Sequence, residues 1–151
     1  MSAAVVVRPA TAADAAAWES MRHALWPDES NSHGREVADY FRGVLPMPLE
    51  VLVAVDDAGQ PIGFAELSIR NYAEGCESDR VAFLEGWYVD PAHRRQGVGA
   101  MLVKAAEGWG RAQGCREFGS DAELDNDVSH AAHRALGFEE VVRIVSYKKP
   151  L

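Results

Sequence analysis

Cysteine is scarce in this chain: Cys76 and Cys115 are the only two in 151 residues. That excludes a disulfide-stapled scaffold. With no secretory pattern ahead of them, the two are expected to be reduced, buried thiols of a cytoplasmic protein. Long apolar runs are missing as well. None approaches the roughly 20 residues that span a bilayer, so no membrane association is expected. The opening stretch Ala3-Ala4-Val5-Val6-Val7 is too short for the apolar part of a secretory signal and meets Arg8-Pro9 at once. Positive charge is in deficit, with 15 Lys and Arg against 23 Asp and Glu, a net charge of −8. Such a balance argues against nucleic acid as a partner and suits a cationic ligand. There is no internal repeat, low-complexity segment or linker. The length fits a single domain over residues 1–151.

The remaining composition is that of a globular α/β (α+β) protein: 48% hydrophobic and 25% charged. The patterning predicts a strand over Val5–Arg8 and a helix capped by Thr11 with Asp14 in its first turn. Trp18, Met21, Arg22 and Leu25 carry that helix to Trp26-Pro27. An acidic loop, Pro27–Ser32, precedes a short helix through Val37, Tyr40, Phe41 and Val44, broken by Pro46 and Pro48. Glu50–Asp56 and Gln60–Arg70 read as a hairpin around Asp57-Ala58-Gly59. Val81–Val89 is a buried strand, and Val98, Met101, Leu102, Ala105, Ala106 and Trp109 form the stripe of a long helix. A short strand over Glu117–Asp121 and a helix over Asn126–Leu136, stopped by Gly137, follow. The segment Phe138–Lys149 is strand-rich. This order predicts a mixed central sheet with helices on both faces.

The most informative segment is Arg94-Arg95-Gln96-Gly97-Val98-Gly99-Ala100. It joins the buried strand to the long helix. Helix starts leave backbone N–H groups unpaired and carry partial positive charge. Glycines allow the chain to wrap an anion closely, and two arginines add full charge. The expectation is a pyrophosphate cradle. Arg94-x-x-Gly97-x-Gly99, preceded by Val89-Asp90-Pro91, resembles the acetyl-CoA-binding motif of the GNAT N-acetyltransferases. The resemblance extends over nearly the whole chain. It implies the GNAT fold, with splayed central strands, and acetyl-CoA as co-substrate.

Several residues carry the expected chemistry. Glu85 lies in the middle of an apolar strand, where a carboxylate is costly unless paired or facing a cleft. A structural ion pair is one reading; a cleft carboxylate that accepts the amine proton is the one favoured. Gly86 marks a bulge or splayed edge. The resemblance implies that Trp87, Tyr88 and Val89 hold the pantetheine arm, and that Arg94, Arg95, Gln96, Gly97, Val98, Gly99 and Ala100 hold the pyrophosphate. It also implies that Asn126 contacts the cofactor. His133 stands where many members of the family have a tyrosine that protonates the CoA thiolate. Tyr147 is a second candidate donor, and the sequence leaves the choice open. His130 and His133 share a helix face without a third ligand, so no metal is expected.

Blocks outside the cofactor motif narrow the resemblance. Leu25-Trp26-Pro27, Ser68-Ile69-Arg70-x-Tyr72, Phe83-Leu84-Glu85-Gly86, Gly114-Cys115-Arg116-Glu117-x-x-Ser120-Asp121 and Tyr147-Lys148-Lys149 look like aminoglycoside 6'-N-acetyltransferases. That implies direct acetyl transfer to the 6'-amine of a drug, antibiotic resistance, and a homodimer. Trp26, Glu29, Tyr72, Glu85 and Asp121 would line the drug site, offering flat faces and carboxylates to a polycation. Val142 departs from relatives with an acidic drug contact there. Two rival readings remain. One is a GNAT enzyme for another cationic amine, such as a polyamine, a metabolite or a protein amine. The other is a CoA-binding protein without transferase activity.

Overall fold

The computed structural model describes residues 4–27, 30 and 32–151. Its strands are β1 (Val6–Pro9), β2 (Glu50–Val55), β3 (Pro61–Arg70), β4 (Val81–Val89) and β5 (Glu117–Ser120). They form one sheet in the order β1-β2-β3-β4-β5. Strands β1 to β4 pair antiparallel, and β5 joins β4 in parallel. A parallel neighbour requires a crossover, and α3 (Val98–Ala112) supplies it. The other helices are α1 (Ala15–Leu25), α2 (Ser32–Phe41) and α4 (Asp127–Ala135).

Each face of the sheet buries its own apolar cluster. On one, Leu52, Ala65, Leu67 and Leu84 pack against Val98, Leu102, Val103 and Ala106 of α3. On the other, Val51, Val53, Phe64 and Tyr88 pack against Trp18 and Met21 of α1 and Val37 of α2. These are called the α3 face and the α1 face below. The mixed sheet covered on both sides is the architecture expected from the sequence. Among the described residues no helix is long and apolar enough to cross a membrane.

The ends of several elements follow from local chemistry. The Asp14 carboxylate accepts the Thr11 N–H at 2.8 Å and pairs with Arg8 at 2.7 Å. This fixes a 3-10 turn over Ala12–Asp14 that leads into α1. Asn126 caps α4 by accepting the Ser129 N–H at 3.1 Å, and Gly137 ends it at φ +91°.

Three details differ from the sequence expectation. Helix α2 spans Ser32–Phe41, earlier than the apolar spacing suggested, because its buried side includes His33 as well as Val37. Apolar periodicity does not register a buried histidine, and Pro46 and Pro48 fall beyond the helix. Met101 is 39% exposed, while Val103 takes its place in the buried stripe of α3. The segment 138–149 contains no strand: Phe138 packs against Phe118, and residues 139–149 run exposed.

Candidate active site

Strands β4 and β5 are paired only from Val81–Glu117 to Leu84–Ser120. Beyond that point β5 ends, while β4 continues to Val89. The gap between them is the splay expected for a pantetheine arm. On its other side β4 pairs with β3, Leu67 facing Leu84 and Glu66 facing Gly86. Glu85 is thereby the extra residue of a β-bulge, one position before the glycine that signalled it. The bulge resets the alternation of side chains. Gly86 and Tyr88 then belong with the α1 face, and Trp87 with the α3 face.

The α3 face holds the candidate anion cradle. Gly97 precedes α3 at φ +82°, and Arg95 has φ +63°. No side chain caps the helix start. The first N–H groups of α3 have no acceptor within the helix and are free for an anion. Residues 94–97 are exposed. This donor set fits the pyrophosphate of a CoA molecule. The Trp87 indole closes the inner end, donating to the Gly99 carbonyl at 3.2 Å. Arg94 also makes a contact within the chain. Its Nε donates to the Val89 carbonyl at 2.8 Å, and its guanidinium lies 5.6 Å from the Tyr88 ring. It fastens the end of β4.

His133 reaches the same face from α4, with its ring edge-on to Trp87 at 5.3 Å and near Phe138 at 5.0 Å. Its Nε2 lies 2.7 Å from the Ser120 hydroxyl, and its Nδ1 lies 2.7 Å from the Ser129 carbonyl.

The α1 face holds Glu85 and the half-buried Trp26. Glu85 is held on three sides. Arg70 donates to Oε1 at 2.9 Å and to Oε2 at 2.7 Å, and Ser68 donates to Oε1 at 2.5 Å. The Arg70 guanidinium rests on the Phe83 ring at 3.6 Å. The carboxylate beside it pushes the Arg70 pKa up, with Asp121 adding to the effect. The ion-pair reading of Glu85 therefore holds in this structure, and the carboxylate also borders the bulge. Tyr72 is exposed and donates to Glu74 at 3.3 Å. Asp121 is exposed directly after Ser120.

Trp26 lies across the bulge, so close that a Cβ on Gly86 would meet its ring at 2.5 Å. A buried polar cluster supports it from behind. His33 bonds the Trp26 carbonyl at 2.7 Å and receives Arg22 Nε at 3.2 Å. Arg22 also pairs with Glu36, and with Glu66 at 3.5 Å. Glu66 takes the Trp18 N–H at 3.1 Å. Burial pushes the Glu66 carboxyl above its usual range, against the pull of Arg22 and Trp18.

Residues 18–138 match the acetyltransferase (GNAT) family. The chain belongs to the GNAT family. Its relatives include an aminoglycoside N(6')-acetyltransferase type 1 of Klebsiella aerogenes, 53% identical over the full length of both chains. The enzyme of the same name from Stenotrophomonas maltophilia is 41% identical over 100% of this chain and 97% of its own. Among solved structures, AAC(6')-Iy in complex with the bisubstrate analog CoA-S-monomethyl-acetylneamine superimposes with a TM-score of 0.88. It is 36% identical and covers 98% of this chain and 99% of its own. The GNAT fold expected from the sequence is therefore established.

Within this GNAT domain the expected site residues divide. Trp87, Val98, Gly99 and His133 meet on the α3 face, and Trp26 and Glu85 meet at the bulge on the α1 face. Tyr88 packs into the α1-side core. Asn126 caps α4 through its side-chain oxygen. Tyr147 is 92% exposed on the tail. Glu29 lies outside the described residues. Sequence reasoning missed Ser68 and Ser120 as partners and the Arg22–His33–Glu66 cluster entirely. The Ser68-x-Arg70 alternation did carry a signal, since it sets both side chains on one sheet face, where both bond Glu85. The cluster carried none, because its members lie on three separate elements.

Proposed function

We propose that this GNAT chain transfers the acetyl group of acetyl-CoA directly to the 6'-amine of an aminoglycoside, and so confers resistance to such drugs. The observation that carries the reading is the β4 bulge. It sets an anion cradle on one face of a strand and a carboxylate-and-tryptophan surface on the other, with the gap between β4 and β5 joining them. Full-length relatives that bear the name of this activity support it.

On this reading the N–H groups at the start of α3, with Arg95 and Gln96 beside them, bind the pyrophosphate. The free edge of β4 at Trp87–Val89 pairs with the pantetheine arm and polarises the thioester oxygen. Trp26 and Tyr72 lie against the sugar rings, and Glu85 and Asp121 attract the ammonium groups. The acceptor amine must be neutral to attack. Arg70 and Ser68 occupy the Glu85 oxygens, so Glu85 serves by charge and by ordering the water that takes the proton. Alignment of two bound substrates supplies much of the rate. His133, beside Trp87 in the gap, is favoured over Tyr147 as the group linked to the departing thiolate.

The same reading includes a homodimer in the cytoplasm. The outer edge of β5 is unpaired, and beside it the tail exposes Val141, Val142, Ile144 and Val145. A cavity of about 1440 Å³ bordered by β5 and the tail is also lined by Arg70, Tyr72, Asp121 and His133. An open strand edge beside an extended apolar segment favours pairing with a second copy. Sedimentation of the purified protein checks this assembly.

The test of the activity is release of free CoA from acetyl-CoA in the presence of kanamycin or a matched drug with a 6'-hydroxyl. Turnover with the amine alone is expected. Binding of acetyl-CoA without turnover on either drug would reject the acceptor and lead to a screen of polyamines and protein amines.

A further inference from the structure

Ser120 has no part in the reading so far, yet it occupies the head of the gap. It is the last residue of β5 and faces Leu84 in the final pair before the strands separate. Its neighbour Gly119 has its Cβ direction toward Phe83, whereas Phe118 packs with Phe138 in the α3-side cluster. By strand alternation Ser120 shares the side of Phe118. Its hydroxyl meets His133 there.

The partners of His133 favour one placement of its proton. The Ser129 carbonyl, 2.7 Å from Nδ1, can only accept, and the Ser129 hydroxyl, 3.2 Å from the same nitrogen, can accept as well, an arrangement that favours a hydrogen on Nδ1. In the neutral ring Nε2 is then a lone pair that receives the Ser120 O–H at 2.7 Å. With the ring protonated, Nε2–H donates to the Ser120 oxygen without moving a heavy atom, and the hydroxyl hydrogen is freed to turn into the gap. The Trp87 and Phe138 rings hold the imidazole in place for either arrangement.

We propose that Ser120 is the catalytic residue that hands a proton to the CoA sulfur, with His133 as its source. The proposal rests on the acetyltransferase reading above. The amine lone pair forms the C–N bond, and the C–S bond breaks with its electron pair going to sulfur. The Ser120 O–H proton goes to that sulfur, and the His133 Nε2 proton goes to the Ser120 oxygen. His133 is left neutral with its hydrogen on Nδ1, the arrangement its partners favour here. The amine proton leaves to water, and solvent returns one to Nε2 before the next turnover.

The test combines three measurements on wild type, Ser120→Ala, Ser120→Thr and the double variant Ser120→Ala with His133→Gln. Nitrogen-15 imidazole NMR of the free protein is expected to show His133 with its hydrogen on Nδ1, and its Nε2 signal to move in Ser120→Ala but not in Ser120→Thr. Acetyl-CoA affinity by calorimetry is expected to stay within about twofold in Ser120→Ala. The single-turnover rate with bound acetyl-CoA and kanamycin is expected to fall about 100-fold in Ser120→Ala, within the range of general acid catalysis. It should recover largely in Ser120→Thr and fall no further in the double variant. An unmoved Nε2 signal, an alanine variant within twofold of wild type, independent losses that multiply, or a loss matched by weaker acetyl-CoA binding would each overturn the relay. Should Ser120→Ala fail to fold, Ser120→Gly gives the same reading. Absence of turnover in wild type would overturn the acceptor reading and the relay with it, whereas normal turnover in the serine variants overturns the relay alone.

Discussion

The two faces of β4 are built on opposite principles. On the α3 face the anion cradle is backbone, set by the turn at Gly97 and by the unpaired N–H groups of a helix start. On the α1 face the site is made of side chains held by other side chains, Glu85 by Arg70 and Ser68 and Trp26 by His33. A backbone site tolerates few conformations but many neighbouring sequences, which suits a co-substrate common to a family. A side-chain site is changed by single substitutions, which suits an acceptor that differs between members. The bulge at Glu85 joins the two.

The sharpest way to break the contrast is Glu85→Ala. It removes the ionic anchor of the α1 face and leaves Arg70 unpaired. We expect kcat/KM for kanamycin to fall about 100-fold, with acetyl-CoA affinity unchanged within about twofold, measured by initial rates and calorimetry. A paired glycine experiment comes next in size. A Cβ at Gly86 would meet Trp26 at 2.5 Å, and one at Gly99 would meet Trp87 at 3.1 Å. Gly86→Ala is expected to raise the KM for the drug roughly tenfold and spare acetyl-CoA. Gly99→Ala is expected to weaken acetyl-CoA by a smaller factor and spare the drug. Equal effects on both substrates in either variant would dissolve the distinction.

Salt gives a gentler test. Raising ionic strength from ~0.1 M to ~1 M shortens the screening length from ~10 Å to ~3 Å. The drug is attracted by the acidic face and should bind several-fold more weakly. Acetyl-CoA binding should change less, because screening also relieves its repulsion from a chain of net charge −8. The smallest effect is expected at β1, the sheet edge opposite β5. Arg8 holds the Asp14 carboxyl below its usual range. A lowered folded-state value stabilises the protein above the unfolded value and is lost as pH falls through the folded one. Asp14→Asn should therefore cost about 1 kcal/mol at neutral pH, by chemical denaturation. That difference should shrink below about pH 4 while both substrate affinities at neutral pH stay as in wild type.

The same contrast explains what the sequence reveals. The cradle is legible because a backbone device needs residues contiguous in the chain, and Arg94–Ala100 are contiguous. Strands β1 to β5 and helices α1, α3 and α4 are legible because each has its own periodicity or cap. The partners on the α1 face are not, since Glu85 meets Arg70 across 15 residues and Trp18 meets Glu66 across 48. Only register and packing bring them together. The tail misleads for a related reason: its residues have strand character, but local pattern does not say whether the segment pairs, and here it forms no ladder with the edge of β5.

Hydrogen-exchange footprints of acetyl-CoA alone and kanamycin alone test the central claim most directly. Acetyl-CoA is expected to protect residues 95–100 and 87–89, and the drug residues 26, 70–72 and 121, with overlap only around Glu85 and Gly86. Protection of the α3 start by the drug, or of the Trp26 region by acetyl-CoA, would contradict it.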